Sequence, residues 1–317
     1  MSPDLRTAME QAAPPLPLAV AFSGGADSTC LLHAAVRSWP GQVQALHVHH
    51  GLQAAADDFL AHCRRACDRL AVPLHVARLD ASHARGESPE DAARQARYLA
   101  LADLAIRHGV RTVLLAQHAD DQVETMLLAL SRGAGLPGLA AMPASFERHG
   151  MRFERPLLAV PARAIREWLA VEGIEFVDDP TNADTRFTRN RIRHALMPAL
   201  EAAFPSFRDT FARSARHAAQ AQQVLRSVAE DDLRALDGRM SIDGLQRLPR
   251  ERQANVLRHW LRSAHAASPS EAQLAELLDQ VAACVTRGHS IRIAVASGRV
   301  EREGAVLRFV VPAPSRE

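Results

Sequence analysis

The chain contains no lysine: its 38 strongly basic side chains are all arginine. That excludes a Walker-type phosphate loop and a Schiff-base lysine supplied by the protein itself. Aromatic residues make up only 4% of the 317, and tyrosine occurs once, as Tyr98. Cysteine is sparse as well, at Cys30, Cys63, Cys67 and Cys284. Cys63 and Cys67 lie one helical turn apart, but no neighbouring second pair completes a zinc or iron–sulfur set. Scattered thiols of this kind suit a reducing compartment, so a cytoplasmic location is expected. Long apolar runs are missing, none approaching the roughly 20 residues that span a bilayer. The N-terminus also lacks a basic region followed by an apolar run, so neither a signal peptide nor a membrane partner is expected. Excess charge is absent too. With a net charge of +2, any nucleic-acid surface must come from local clusters of arginine.

What is present is 47% hydrophobic residues over a length that suggests two domains. Apolar runs at Leu18–Ala21, Val43–Val48, Leu74–Ala77 and Thr112–Ala116 read as strands. Between them, helices are predicted over Thr29–Val36, Ala54–Leu70, Pro89–His108 (with Ser88 as N-cap) and Asp120–Ser131. Strands alternating with helices imply an α/β domain, a parallel sheet covered by helices on both faces, with ligands at the carboxyl ends of the strands. Beyond Pro143 the pattern loosens. A helix over 161–172, a short strand at Phe176–Val177 and a helix over 190–203, broken near Pro198, are predicted. A polar helix over 207–236 holds the expected domain boundary near His217, giving domains 1–216 and 217–317. Two helices, 250–264 and 270–283, and three short strands then form a smaller α+β C-terminal domain.

The first strand breaks into Ser23-Gly24-Gly25-Ala26-Asp27-Ser28 and then a helix. Strand, glycine turn and helix N-terminus together make an anion site: exposed N–H groups and the helix dipole face the ligand, and glycine permits close approach. Ser23 and Ser28 add hydroxyls, and Asp27 can hold a Mg²⁺ that bridges phosphate oxygens. The fourth strand leads into Gln117-His118-Ala119-Asp120-Asp121-Gln122-Val123-Glu124. Asp121 and Glu124, three apart, share a helix face, and carboxylates clustered near an anion site call for Mg²⁺ or an ammonium group. Asp120 serves either Mg²⁺ or its own helix N-terminus; the sequence does not separate the two. Arg94 and Arg97 face one way on the long helix. His47, His49 and His50 end the second strand, where nucleotide contact suits them better than metal. Thr188-Arg189-Asn190-Arg191-Ile192-Arg193 concentrates charge fit for polynucleotide phosphates.

The loop resembles the pyrophosphate (PP) loop of the N-type ATP pyrophosphatases, which split ATP between its α and β phosphates. SGGADS, HVHHGL, RQARY, AQHADDQVET, RGAGLPGL, DDPTN and RNRIRH follow in order. Together they resemble the tRNA(Ile)-lysidine synthetase family over most of residues 18–200, and more faintly over the tail. That resemblance implies an adenine nucleotide α-hydrolase-like fold, and ATP and Mg²⁺ as cofactors. The implied partners are free L-lysine and a tRNA(Ile) with anticodon CAU, modified at C2 of cytidine 34 through an adenylated base. It implies that Ser23, Gly24, Gly25, Ala26, Asp27 and Ser28, with His47, Arg94 and His118, hold the nucleotide, and that Asp27 holds the metal. Asp121 and Glu124 would bind the lysine ammonium, Arg97 its carboxylate or a phosphate, and Arg189 and Arg193 the tRNA. The C-terminal domain would bind tRNA. The chain is expected to end before a further C-terminal domain that some members carry, and a homodimer is compatible with the family. Two alternatives stay open: a tRNA thiolase of the same fold, which generally needs paired cysteines, and a non-catalytic nucleotide- or RNA-binding module.

Overall fold

The structure is a computed structural model that describes residues 1–49, 55–79, 89–178, 184–286 and 288–311. His50, the end of HVHHGL, Ser88 and most of DDPTN lie outside the described residues. The chain divides into two compact units, Met1–Ala218 and Ala219–Glu317.

The first unit alternates strictly at its start. α1 (Pro3–Gln11), β1 (Leu18–Ala21), α2 (Ala26–Ser38), β2 (Val43–His49), α3 (Ala55–Leu70), β3 (Leu74–Arg78), α4 (Pro89–Arg107), β4 (Thr112–Leu114) and α5 (Ala119–Ser131) come in order. A short α6 (Leu136–Leu139) precedes a hairpin, β5 (Ser145–Arg148) and β6 (Met151–Glu154), a 3₁₀ turn at Pro156–Ala159 and α7 (Ala162–Val171). α8 (Thr188–Arg191) runs through a π turn (Ile192–Leu196) into α9 (Met197–Ala203), and α10 (Phe207–Ala235) follows.

The sheet order is β3-β2-β1-β4-β6-β5. Every pairing is parallel except that of β5 with β6. This hairpin was not expected from sequence. It turns on His149 (φ 50°) and Gly150 (φ 71°), both left-handed, the two-residue geometry that matches strand twist. The expected strand at Phe176–Val177 does not form: Val177 donates a single 2.9 Å hydrogen bond to the Gly24 carbonyl and pairs with no ladder.

Period-2 alternation along β1 sends neighbouring side chains to opposite faces. Leu18 and Val20 enter a core with Leu5, Leu31, Leu32, Cys63, Leu157, Ile165 and Trp168 from the helices of one side. Ala19 enters the other core, with Tyr98, Leu101, Leu104 and Phe153. Both faces are therefore covered, as a mainly parallel sheet requires. Because β2 and β4 flank β1, the chain leaves β1 in one direction and later returns on its other side. The crevice between the loops after β1 and β4 is the switch point where such sheets place ligands.

In the second unit, α11 (Ile242–Gln246), α12 (Arg250–His265) and α13 (Glu271–Ala282) precede β7 (Arg292–Val295), β8 (Gly298–Glu303) and β9 (Val306–Val310). The strands form an antiparallel β7-β8-β9 sheet. Leu245, Leu257, Leu261, Leu277, Val281, Val295 and Val300 form its fully buried core. Ser270 and Gln273 close a capping box at the start of α13.

Candidate active site

β1 ends at Ala21, and Phe22 extends it by one hydrogen bond to Leu46. The turn then reverses at Gly24, whose φ is +88°. A Cβ there would sit 3.1 Å from Cys63 Sγ, so the position requires glycine for its backbone conformation and for the close approach of α3. The Gly24 carbonyl is held from behind by the Val177 N–H at 2.9 Å and the Thr29 hydroxyl at 3.3 Å. Ser28 Oγ accepts the Ser23 N–H at 3.2 Å and donates to the Gly25 carbonyl at 3.1 Å. Ser23 Oγ lies 3.1 Å from it. The N-cap of α2 is Gly25, which offers no side chain to its first-turn N–H groups. Those donors and the positive end of the helix are left for an anion.

His47 is buried behind this turn, its Nδ1 2.9 Å from the Phe22 carbonyl and 3.6 Å from Cys63 Sγ. Burial holds its pKa below the ordinary histidine value, the Phe22 hydrogen bond opposing and His49 adding to the depression. The neutral ring therefore donates from Nδ1, and only Nε2 remains for a ligand.

The loop after β4 carries the acids. His118 is the N-cap of α5: Nδ1 accepts the Asp121 N–H at 3.4 Å, and Asp121 Oδ2 accepts the His118 N–H at 3.1 Å. His118 Nε2 lies 3.6 Å from Asp27 Oδ2, joining the two loops across the switch point. Burial opposes the imidazolium, but the hydrogen bond to Asp27 and the charges of Asp121, Asp27 and Asp120 outweigh it and lift the pKa to about 8. Once protonated, Nδ1 can no longer accept the long cap bond, and attraction to three carboxylates replaces it. Burial opposes ionisation of Asp27, yet His118, Arg166 and Arg193 hold its pKa below the usual value.

Glu124 is fully buried. Arg193 Nε donates to its Oε1 at 2.9 Å, and Arg189 Nη1 lies 3.7 Å from its Oε2. Oε2 itself has no hydrogen-bond partner. Burial pushes the Glu124 pKa up, against the pull of Arg193, with the Asp121 charge adding to the rise. Arg193 also reaches Asp121 Oδ1 at 3.4 Å. The two carboxylates and the two late arginines thus converge, although some 70 residues separate them in sequence.

Asp120 is occupied elsewhere. Its Oδ2 accepts the Ala162 N–H at the start of α7 at 2.8 Å, and its Oδ1 accepts Arg208 of α10 at 2.8 Å. It binds three helices together rather than facing the crevice. Asp120→Ala is expected to lower the unfolding free energy by about 2 kcal/mol, because it leaves the Ala162 N–H without its acceptor and Arg208 with Glu201 as its remaining hydrogen-bonded acid at 3.0 Å. A urea midpoint equal to that of the unmodified chain would contradict this framework role.

Arg94 and Arg97 are exposed on α4. Arg94 lies over the Tyr98 ring at 6.0 Å. Arg97 has its pKa lowered by partial desolvation, with Tyr98 opposing and Arg94 contributing. No acidic side chain among the described residues pairs with either. Sequence reasoning missed Arg155, which is 4% exposed just past β6. It donates to Gln117 Oε1 (2.9 Å), the Pro143 carbonyl (2.7 Å) and the Tyr98 hydroxyl (3.2 Å). Gln117 immediately precedes His118, so Arg155 helps to set that loop. No signal pointed to it, because the strand it follows was itself unseen.

A mainly parallel sheet with a lysine-free glycine turn at its switch point defines a PP-loop nucleotide domain, and residues 4–200 match the PP-loop domain family. Residues 240–305 match the TilS substrate binding domain. A tRNA(Ile)-lysidine synthase of Polaromonas naphthalenivorans is 65% identical over 294 residues, 93% of this chain and 89% of that protein. One from Bordetella pertussis is 44% identical, covering 93% of this chain and 94% of that protein. One from Burkholderia pseudomallei is 46% identical, but the chain spans only 59% of its length. The chain belongs to the tRNA(Ile)-lysidine synthase family. A solved U34-tRNA thiolase from Methanococcus maripaludis shares the fold, with a TM-score of 0.58 at 13% identity over 68% of this chain and 76% of that one. Burial here pushes the thiols of Cys30, Cys63 and Cys67 up to about 12, far from the reactive range. Among the described residues no helix is long and apolar enough to cross a membrane.

Proposed function

We propose that this chain uses ATP to join free L-lysine to C2 of cytidine 34 in a tRNA(Ile) bearing the anticodon CAU. The C2 oxygen attacks the α-phosphorus of ATP and expels pyrophosphate. The lysine ε-amine then attacks C2, loses a proton and expels AMP.

The observation that carries this reading is Glu124 Oε2: buried, without a hydrogen-bond partner, on a helix whose N-cap touches Asp27 of the phosphate loop. A buried acceptor without a hydrogen bond, its nearest cation Arg189 at 3.7 Å, suits an ammonium donor beside a nucleotide loop. The raised pKa of Glu124 also suits it to take the proton that the amine must shed before attack. Asp121 shares that duty from one turn away. Arg97, without an acidic partner among the described residues, would meet the carboxylate of lysine or a phosphate. Arg189 and Arg193, which stand against Glu124, would face the tRNA.

The residues present also fit ATP and Mg²⁺. Gly25 leaves the N–H groups of α2 uncapped, and Asp27 is kept ionised and 40% exposed. No group of three acids or histidines among the described residues makes a metal cage. One carboxylate plus phosphate oxygens and water is what Mg²⁺ ordinarily takes. When bound, the ion neutralises charge on the leaving pyrophosphate. The second unit would bind the tRNA body.

The test is direct. Purified protein incubated with ATP, labelled lysine and a tRNA(Ile) transcript is expected to place label in the tRNA, and no label with a CAC-anticodon control. Folded protein that transfers no lysine would refute the proposal. Sulfur incorporation in its place would favour the thiolase reading.

A further inference from the structure

In a chain with few aromatic residues, two such side chains are exposed among the described residues, Phe187 and Phe204. Phe187 is 58% exposed and is not left out by accident. The backbone beneath it is tied down at every step. The Phe187 N–H donates to the Asp184 carbonyl at 3.3 Å, and its own carbonyl accepts the Arg191 N–H at 3.1 Å. The buried Asn190 side chain donates to the same Asp184 carbonyl at 2.9 Å. Arg186 folds back on the Asp184 carboxylate at 2.7–3.1 Å. Arg191 donates to the Arg186 carbonyl at 3.3 Å and to the Thr188 hydroxyl at 3.0 Å. A loop held this firmly presents its ring to solvent in one place.

The surroundings choose what meets the ring. Arg191 is exposed, with its guanidinium preset by neutral acceptors and no acidic partner among the described residues. Two residues along is Arg189 and six along is Arg193, both at Glu124. Phe187 and Arg191, four apart, share one side of this segment, while Arg189 and Arg193 reach Glu124 from another, so one short segment carries both the ring and the partners of the buried acid. An exposed aromatic face beside a guanidinium that has only neutral acceptors, on the segment that also holds Glu124, is the pairing that takes single-stranded RNA: the ring stacks a base and the cation takes a phosphate.

We propose that Phe187 is a stacking platform for an unpaired nucleobase next to the one being modified, and that Arg191 holds the adjoining phosphate. This rests on the proposed function for the identity of the RNA. It goes further in naming the residues that seat the loop strand.

The test measures binding without ATP or lysine. A fluorescein-labelled RNA hairpin with a CAU loop, and a duplex of the same stem without a loop, are titrated by anisotropy. Phe187→Ala is expected to weaken hairpin binding about fivefold or more and to leave the duplex unchanged. Phe187→Tyr should stay within about twofold of the unmodified chain, whereas Phe187→Leu, apolar but without a ring face, should be as weak as alanine. Arg191→Gln should reduce the slope of log Kd against log salt by about 0.7, the loss of one phosphate contact on a single strand. Wild-type affinity in Phe187→Ala or Phe187→Leu would overturn the proposal. So would a dimer of the unmodified chain that Phe187→Ala turns into monomer in sedimentation, since the ring would then face a second copy. If the hairpin binds through Phe187 but no lysine is transferred, the proposed function alone fails.

Discussion

Asp27→Ala is expected to abolish tRNA-dependent exchange of labelled pyrophosphate into ATP, a fall of about a thousandfold or more. Asp27 is the one carboxylate in the glycine turn, 40% exposed, and its His118 partner spans the switch point at 3.6 Å. No other acid is set to replace it. Asp120 is committed to Ala162 and Arg208, and Asp121 caps its own helix. The substitution leaves both cores untouched, so the thermal midpoint should move little. A second readout separates a local effect from misfolding. With Asp27 gone, the His118 ring loses the hydrogen bond that does most to raise its pKa, and its NMR titration should move to lower pH than in the unmodified chain. Pyrophosphate exchange within tenfold of the unmodified enzyme would remove Asp27 from the site.

Glu124→Gln should divide the reaction. The amide keeps the shape of the side chain and its hydrogen bonding to Arg193. It loses the negative charge and the capacity to accept a proton. Pyrophosphate exchange should persist within a few-fold, while lysine transfer falls about a hundredfold or more. The variant also leaves Arg193 with Asp121, at 3.4 Å, as its remaining ion pair. Calorimetry should therefore show a modest loss of stability, smaller than that of a glutamate-to-alanine change. Unaltered lysine transfer would mean that the amine is deprotonated elsewhere. Equal loss of both partial reactions would place Glu124 in the framework rather than in the chemistry.

Much of the fold was legible because its signals are local. Leu18–Ala21 is apolar and gives way to a glycine turn, and the strand falls where that punctuation puts it; α2 starts at Ala26, directly after Gly25 and three residues before the expected Thr29. The β5–β6 hairpin was not legible. Its strands are four residues each, with only Phe146 and Phe153 as bulky apolar anchors facing one another, and its turn is His-Gly rather than the stronger Asn-Gly. Phe176–Val177 looked like a strand because two β-favouring residues adjoin. In the fold that segment is used for one contact to Gly24, which propensity cannot foretell. The residues of the site were readable by type, but their pairing was not. Arg193 looked like a surface cation on a basic helix, and its contact with Glu124 spans 69 residues. Arg155 carried no pattern at all; its importance lies in three neutral acceptors gathered from separate segments.

The arrangement of Arg193 against Glu124 and Asp121 also bears on chemical selectivity. A carboxylate pocket built to draw in an amine will draw in any amine within reach, and an activated nucleobase will accept the first lone pair presented to it. A lysine in that position would be a tethered rival to the amino acid, able to crosslink the enzyme to its own RNA. A guanidinium supplies the same positive charge without a usable lone pair, and here the neighbouring carboxylates raise its pKa further against the opposing cost of burial. With no lysine anywhere in the chain, the protein has no ε-amine of its own to compete in the proposed reaction, and the acids are paired with a cation that cannot react in its place.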